Sequence, residues 1–173
     1  DVTLVVAKIE GERIAIAADT MVTAHDKPLP VQEGTIKSCM LPGNICVSFC
    51  NSPDTAGRAF RAYAIKYPTG TDFSNTLNFF EESSKETGND YLVAFASPAK
   101  LIKIKDGERI KSISTMQWIG DQAAYSLFRE YAAGKIKKPQ TGRAINAVIF
   151  ADELEGSPAS DLFSAMRYVA IDT

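Results

Sequence analysis

The chain has 173 residues, of which 19 are lysine or arginine and 21 are aspartate or glutamate, so its formal net charge is −2. This length is typical of one domain, and 45% hydrophobic residues suffice for a core without disulfide bonds. The balanced charge excludes a chain-wide attraction to nucleic acid or anionic lipid, and no apolar stretch approaches the ~18 residues of a membrane-spanning helix. We therefore expect one domain over 1–173, with no nucleic-acid or membrane partner.

The cysteine and histidine content limits the possible chemistry. Three cysteines, an odd number, favour free thiols in the reducing cytoplasm. The only histidine, His25, lies in a polar loop with prolines, and the chain has no Cys-x-x-Cys pair. Neither a metal site nor a histidine-activated nucleophile is predicted. A catalytic base in this protein would therefore be a group other than imidazole.

The first 50 residues predict two β-hairpins. The first, over 2–18, is rich in β-branched residues and turns at Glu10-Gly11-Glu12; the second, over 35–50, turns at Pro42-Gly43-Asn44. A longer loop with two prolines joins them, and proline disfavours pairing in a central strand.

Two helices are predicted next. Ser52 is a typical N-cap residue, Pro53 suits the first helical position, and apolar side chains then recur at helical spacing as far as Tyr67. A second helix is expected from Asp72 to about Lys85.

The second half of the chain predicts further strands and helices. Strands are expected at 91–96, 101–105, 116–119 and 165–171, and helices at about 122–131 and 141–152. Runs of strands that alternate with pairs of helices favour an α+β fold, in which two packed sheets are covered by helices on both outer sides. This arrangement is a four-layer αββα sandwich.

Four short segments carry a family resemblance through their order and spacing. They are Ala17-Ala18-Asp19-Thr20, Thr35-Ile36-Lys37-Ser38, Ser52-Pro53-Asp54-Thr55 and the segment 118–127 that begins Trp118-Ile119-Gly120-Asp121. In this order they resemble the proteasome β-subunits and the related bacterial peptidase subunit, which are N-terminal-nucleophile (Ntn) hydrolases with an αββα sandwich. The resemblance spans nearly the whole chain.

The resemblance implies a threonine protease mechanism without a cofactor. An N-terminal threonine hydroxyl attacks a peptide carbonyl, and its own α-amine acts as the base. By motif, Lys37 would lie beside the hydroxyl, Asp19 would orient that lysine, and Asp152 would support the N-terminus. A peptide or protein substrate and a homo-oligomeric assembly are also implied. Structural roles are the alternatives: Asp19 and Asp152 in turns, and Lys37 pointing outward from an edge.

The sequence departs from the family pattern at the nucleophile. With Ala17-Ala18-Asp19-Thr20 as the anchor, an ungapped match places the nucleophile on Thr3, whereas a longer first turn places it on Asp1. Asp1 has no hydroxyl, and the nitrogen of Thr3 is an amide in the sequence as given. Other departures replace a helix-start glycine by Cys50-Asn51-Ser52, a Gly-Ser-Gly serine by Asp121 or Gln122, and a helix-end serine by Glu155.

These departures favour a noncatalytic or assembly subunit with a proteasome-like fold. The alternative is an active threonine-type peptidase or amidase in which processing exposes Thr3. A hydrolase with different chemistry, using Asp19, Lys37 and Asp121, or an unrelated α+β fold is the third interpretation.

Overall fold

A computed structural model of the chain describes residues 3–19, 23–24, 27–28, 36–133 and 147–150. Within these residues the elements are, in chain order, β1 (Leu4–Glu10), β2 (Arg13–Asp19), β3 (Thr23–Ala24), β4 (Lys27–Pro28), β5 (Ser38–Leu41), β6 (Ile45–Cys50), α1 (Pro53–Lys66), α2 (Phe73–Thr87), β7 (Asp90–Ala96), β8 (Ala99–Lys105), β9 (Glu108–Ile110), β10 (Met116–Gly120), α3 (Gln122–Ala132) and β11 (Ala147–Phe150). None of the described helices is long and apolar enough to cross a membrane.

The strands form two main antiparallel sheets. The four-stranded sheet has the order β10-β1-β2-β11, and the five-stranded sheet has the order β5-β6-β7-β8-β9. The short strands β3 and β4 pair with each other. The fold is therefore a mixed α/β domain with two antiparallel sheets, and both predicted hairpins are confirmed as β1-β2 and β5-β6.

The helix boundaries follow local capping signals. Ser52 is the N-cap of α1, where its side chain accepts a hydrogen bond from the Thr55 amide, and Pro53 occupies the first turn. Asp72 caps α2 in the same way through the Asn75 amide. Both predicted helices are confirmed, because these signals lie within a few residues of the bonds that they make.

The prediction of a helix over 141–152 is wrong at residues 147–150. Ala147–Phe150 forms β11, which pairs antiparallel with β2 and places Val148 opposite Ala18. A short apolar run fits a buried strand as well as a helix, and periodicity alone does not separate them. Here the backbone of β11 supplies hydrogen-bonding partners for the edge of β2 that faces away from β1. The rest of that predicted helix and the strand predicted at 165–171 lie outside the described residues.

Three apolar clusters position the two sheets and the helices. The first packs α1 and α2 on the five-stranded sheet and is rich in aromatic rings, with Phe80 5.4 Å from Tyr63 and 5.1 Å from Tyr91 between ring centroids. The second packs Ala124 and Phe128 of α3 on the four-stranded sheet. The third lies between the sheets and contains Val5, Ala7, Ile16, Ala18, Cys46, Cys50, Leu92, Ala94, Leu101 and Ile119. Successive residues of β1 enter different clusters, so this strand is buried on both faces.

Candidate active site

Strand ends from both sheets converge on Thr3. Thr3 directly precedes β1, and antiparallel pairing brings the start of β1 beside Asp19 at the end of β2 and Gly120 at the end of β10. In the other sheet, Cys50 ends β6 opposite Asp90, the first residue of β7. The topology therefore gathers polar side chains at one edge of both sheets.

Lys37 links Thr3 to Asp19 through two hydrogen bonds. Its Nζ donates to Thr3 Oγ1 at 2.9 Å and to Asp19 Oδ2 at 2.8 Å. The second carboxylate oxygen of Asp19 accepts the backbone N–H of Leu4 at 2.8 Å. The side chains are buried, with Thr3 5%, Asp19 7% and Lys37 3% exposed. Three of the four predicted site residues thus meet, whereas Asp152 and also His25 lie outside the described residues.

Burial and charge act in opposite directions on Lys37. Removal from water lowers the pKa of the Lys37 ammonium below its usual 10.5, while the charge and hydrogen bond of Asp19 partly oppose this change. The ammonium therefore depends on its carboxylate partner to remain charged in a buried place. Its charge is directed at the Thr3 hydroxyl, where it favours negative charge on Oγ1.

The backbone of Thr3 is fixed by β10 and the start of α3. The amide of Asp121 donates to the Thr3 carbonyl oxygen at 2.7 Å. Gly120 has φ +113°, and a Cβ at this position would collide with that same carbonyl oxygen. Glycine is thus required here, both for the backbone conformation and for the close approach of Thr3.

A cavity of about 210 Å³ opens beside Thr3. A water molecule occupies about 30 Å³ of liquid, so the cavity has room for a group of several heavy atoms. Besides Thr3, its lining is formed by Cys50, Asn51, Asp90, Gly120, Asp121 and Gln122. The lining is mostly polar, which suits a substrate group that forms hydrogen bonds.

Asn51 is the middle residue of Cys50-Asn51-Ser52, the segment in which the resemblance implies a glycine. Its φ of +88° is left-handed backbone, which glycine adopts freely and which asparagine tolerates better than most residues. Its side-chain Nδ2 donates to the carbonyl oxygen of Gly88 at 2.6 Å. A turn that glycine could make is therefore retained, and the Asn51 side chain forms a hydrogen bond with the connection between α2 and β7.

Asp121 has a local structural role. Its Oδ1 accepts the amide of Ala124 at 2.8 Å and so caps the first turn of α3. The same residue lines the cavity and holds the Thr3 carbonyl through its backbone. Asp121, one of the two residues that replace the expected Gly-Ser-Gly serine, thus serves as a helix cap.

A second, more apolar cavity of about 330 Å³ lies between β5 and α1. Its lining consists of Ile36, Ser38, Cys39, Phe49, Pro53, Gly57 and Phe60. Ser38 follows Lys37 in the chain, and Phe49 precedes Cys50 of the first cavity. The two cavities therefore flank the same pair of strand ends.

The two buried cysteines lack the thiolate form at neutral pH. Burial raises the pKa of both Cys46 and Cys50 to about 12, so both are thiols at neutral pH. All three cysteines are free. Among the described residues there is no group of three His, Cys, Asp or Glu side chains that would hold a metal ion.

Asn89 and Asp90 were not identified by the sequence interpretation. Asp90 lines the cavity opposite Cys50, and burial raises the pKa of its carboxyl. Asn89 is fully buried and bonds to the start of α1. The sequence offers only one signal for them, a Gly-Asn pair typical of a helix end.

Comparison with known proteins finds similarity at the level of structure. No protein-family model and no curated protein sequence matches the chain. HslV from Trypanosoma brucei has a TM-score of 0.63 at 13% identity, over 96% of this chain and 90% of HslV. Anbu, an ancestral beta-subunit, from Yersinia bercovieri has a TM-score of 0.57 at 14% identity, over 74% of this chain and 65% of that chain.

A Gly-1 mutant of Anbu from Hyphomicrobium sp. strain MC1 has a TM-score of 0.57 at 13% identity, over 75% of this chain and 64% of that chain. The chain thus spans slightly less than two thirds of the two Anbu chains. These similarities support the resemblance that the sequence motifs predicted: the chain has the fold of the proteasome-like proteins HslV and Anbu.

Proposed function

We propose that this protein is a threonine-type Ntn hydrolase that cleaves peptide or other amide bonds after processing exposes Thr3 as the N-terminal residue. One observation carries the proposal: Lys37 Nζ donates hydrogen bonds to Thr3 Oγ1 and to Asp19 Oδ2 in a buried site beside a cavity. This is the arrangement that a hydroxyl nucleophile needs if no histidine is available.

Each residue has a defined role in the proposed reaction. The Thr3 oxygen attacks the substrate carbonyl carbon, and the hydroxyl proton passes to the free α-amine of Thr3. Lys37 stabilises the developing negative charge on Oγ1, and Asp19 holds Lys37 in place. The C–N bond then breaks, the leaving amine takes the proton from the α-amine, and an ester on Thr3 remains. Water hydrolyses this ester with the same amine as the base.

The backbone N–H of Asn51 is our candidate donor to the substrate oxyanion. Asn51 lines the cavity beside Thr3, and it lies in the segment where the resemblance implies a helix-start glycine whose backbone N–H serves the oxyanion. One correctly placed donor of this kind contributes about 10²- to 10³-fold to the rate. The donor is a backbone group, so the replacement of glycine by asparagine does not remove it.

The departures from the family pattern support the noncatalytic alternative. Cys50-Asn51-Ser52 replaces the helix-start glycine, although the Asn51 side chain donates a hydrogen bond to the Gly88 carbonyl oxygen. Asp121 or Gln122 replaces the Gly-Ser-Gly serine, although the Asp121 carboxylate caps α3. The amide nitrogen of Thr3 in the sequence as given also supports a noncatalytic subunit, and this is the feature that processing would change.

We also infer the four-layer αββα arrangement and assembly into a homo-oligomer. The layers are supported by the apolar clusters on the outer faces of the two sheets and by the third cluster between them. Assembly is supported by the fold similarity to Anbu, described as a beta-subunit. The free cysteines suit a reducing, cytoplasmic setting.

The proposal is tested with a chain that begins at Thr3. This chain and the chain that retains Asp1-Val2 are treated with a peptide epoxyketone, an electrophile that captures a hydroxyl and a neighbouring amine. We expect intact mass to increase by one inhibitor only for the chain that begins at Thr3. We also expect that chain to cleave fluorogenic peptide amides.

Matched variants separate reaction at Thr3 from reaction elsewhere. Thr3→Ala should abolish both the adduct and turnover, whereas Thr69→Ala, at an exposed threonine, should change neither. If the folded chain that begins at Thr3 forms no adduct and cleaves no peptide amide, the hydrolase proposal fails and the noncatalytic subunit is favoured.

A further inference from the structure

We infer that Asn89 is a positioning residue that holds the backbone N–H of Asn51 toward the cavity. The inference rests on the proposed hydrolase function and extends it to a residue that is not part of the cavity lining beside Thr3. It concerns the loop between β6 and α1, which carries Asn51.

The side chain of Asn89 binds the start of α1 through three hydrogen bonds. Its Oδ1 accepts the Ser52 amide at 2.8 Å, and its Nδ2 donates to the Ser52 carbonyl oxygen at 3.3 Å and to Thr55 Oγ1 at 2.8 Å. Asn89 is 0% exposed. One buried amide therefore holds both backbone groups of Ser52, which follows Asn51 directly.

A second bond holds Asn51 from the other side. Asn51 Nδ2 donates to the carbonyl oxygen of Gly88, the left-handed C-cap that ends α2. Gly88 and Asn89 are adjacent, as are Asn51 and Ser52. Gly88 and Asn89 follow α2, and they thus form hydrogen bonds with Asn51 and Ser52, which precede α1. In the sequence, 37 positions separate each bonded pair.

These hydrogen bonds maintain a backbone conformation of Asn51 that is unfavourable for residues other than glycine. Asn51 has φ +88°, which costs energy for any residue with a Cβ and persists only where surrounding bonds enforce it. Asn51 also lines the cavity beside Thr3, so its backbone borders the space in which a substrate oxyanion would lie. A change of a few tenths of an ångström in its position would weaken its hydrogen bond to an oxyanion.

The main test is Asn89→Asp in the chain that begins at Thr3. Aspartate has the same shape and keeps an oxygen for the Ser52 amide, but it replaces the Nδ2 donor by an oxygen that faces the Ser52 carbonyl. We expect kcat for a fluorogenic peptide amide to fall about 10- to 100-fold, while KM changes less than about threefold, because an oxyanion donor acts in the transition state. Asn78→Asp, at an exposed position on α2 that accepts from Arg109, is the matched control and should leave both constants unchanged.

Two further variants keep the test decisive if Asn89→Asp folds poorly. Thr55→Val removes the hydroxyl that accepts from Asn89 Nδ2 and donates to the Ser52 carbonyl oxygen, and it should lower kcat about three- to tenfold at constant KM. Asn51→Gly in the Asn89→Asp background should recover at least about fivefold of kcat, since glycine adopts the left-handed turn without support.

The possible outcomes distinguish this inference from the proposed function. If the unmodified chain that begins at Thr3 is folded but inactive, the hydrolase proposal fails and this inference fails with it. Suppose instead that this chain is active, and that Asn89→Asp and Thr55→Val both fold. If these variants retain its kcat, or raise only KM, the positioning role alone is overturned. Circular dichroism and thermal unfolding establish that each variant is folded.

Discussion

Lys37 and Thr3 lie in segments that lead into different sheets, and the 2.9 Å hydrogen bond between Lys37 Nζ and Thr3 Oγ1 joins the two sheets at the edge of the cavity. Asp19, on the same sheet as Thr3, completes the link through its 2.8 Å bond to Lys37. The geometry of the site therefore depends on how the sheets pack. Variants can test both its chemistry and its contribution to stability.

Replacing Lys37 by methionine should destabilise the fold. Lys37→Met removes the ammonium that contacts the buried Asp19 carboxylate, and loss of one partner of a buried pair costs about 3–5 kcal/mol. Chemical denaturation measures this change in unfolding free energy. Lys111→Met, at an exposed lysine, is the control and should change stability by less than about 0.5 kcal/mol. A loss below about 1 kcal/mol for Lys37→Met would contradict a stabilising ion pair.

Replacing Gly120 by alanine should displace Thr3. Gly120 has φ +113°, and an added Cβ meets the Thr3 carbonyl oxygen, so Gly120→Ala should cost more than about 2 kcal/mol of unfolding free energy. Gly57→Ala provides the contrast, because Gly57 lies inside α1 and the atom closest to its added Cβ is Arg61 Nη2 at 3.8 Å. That variant should gain about 0.5–1 kcal/mol from helix propensity. Equal effects of the two substitutions would refute the close packing at Gly120.

The buried thiols should resist alkylation. With a pKa of about 12, Cys46 and Cys50 hold only about 10⁻⁴ of their population as thiolate at pH 8, so iodoacetamide should label the more exposed Cys39 first. The rates of alkylation at Cys46 and Cys50 should rise about tenfold per pH unit while the protein remains folded, because the thiolate fraction rises tenfold per pH unit. Peptide mass spectrometry follows each site, and labelling in urea is the control in which all three react. Rapid labelling of native Cys50 would show that its thiol is not held in the protonated form.

The aromatic cluster under α1 and α2 should dominate stability in that half of the protein. Phe80 is fully buried and contacts Phe60, Tyr63 and Tyr91, so Phe80→Ala should cost about 3–5 kcal/mol. The control is Ile65→Ala in α1, where the isoleucine is 81% exposed, and this variant should cost less than about 0.5 kcal/mol. Thermal or urea unfolding provides both values, and a small loss for Phe80→Ala would mean that the cluster is loosely packed.

Local signals explain how much of the fold was predictable. Ser52 and Pro53 define the start of α1 because a cap and its acceptor lie within one helical turn. The apolar run of β11 does not predict a strand from local periodicity, because its partner, β2, lies more than 120 residues earlier in the chain.

The same limit applies to the site. Asp19 and Lys37 each belong to a short motif, and the structure brings both to Thr3. Asn89 has no such motif, since its importance comes from bonds to Ser52 and Thr55 across the junction of α1 and β7.

The hydrogen bonds at Thr3 bear on the proposed exposure of its amine. Lys37 holds the hydroxyl, Asp121 holds the carbonyl oxygen, and Asp19 holds the amide of the following residue, Leu4. None of these three bonds uses the Thr3 nitrogen. A free amine at Thr3 would therefore be compatible with every hydrogen bond that assembles the candidate site.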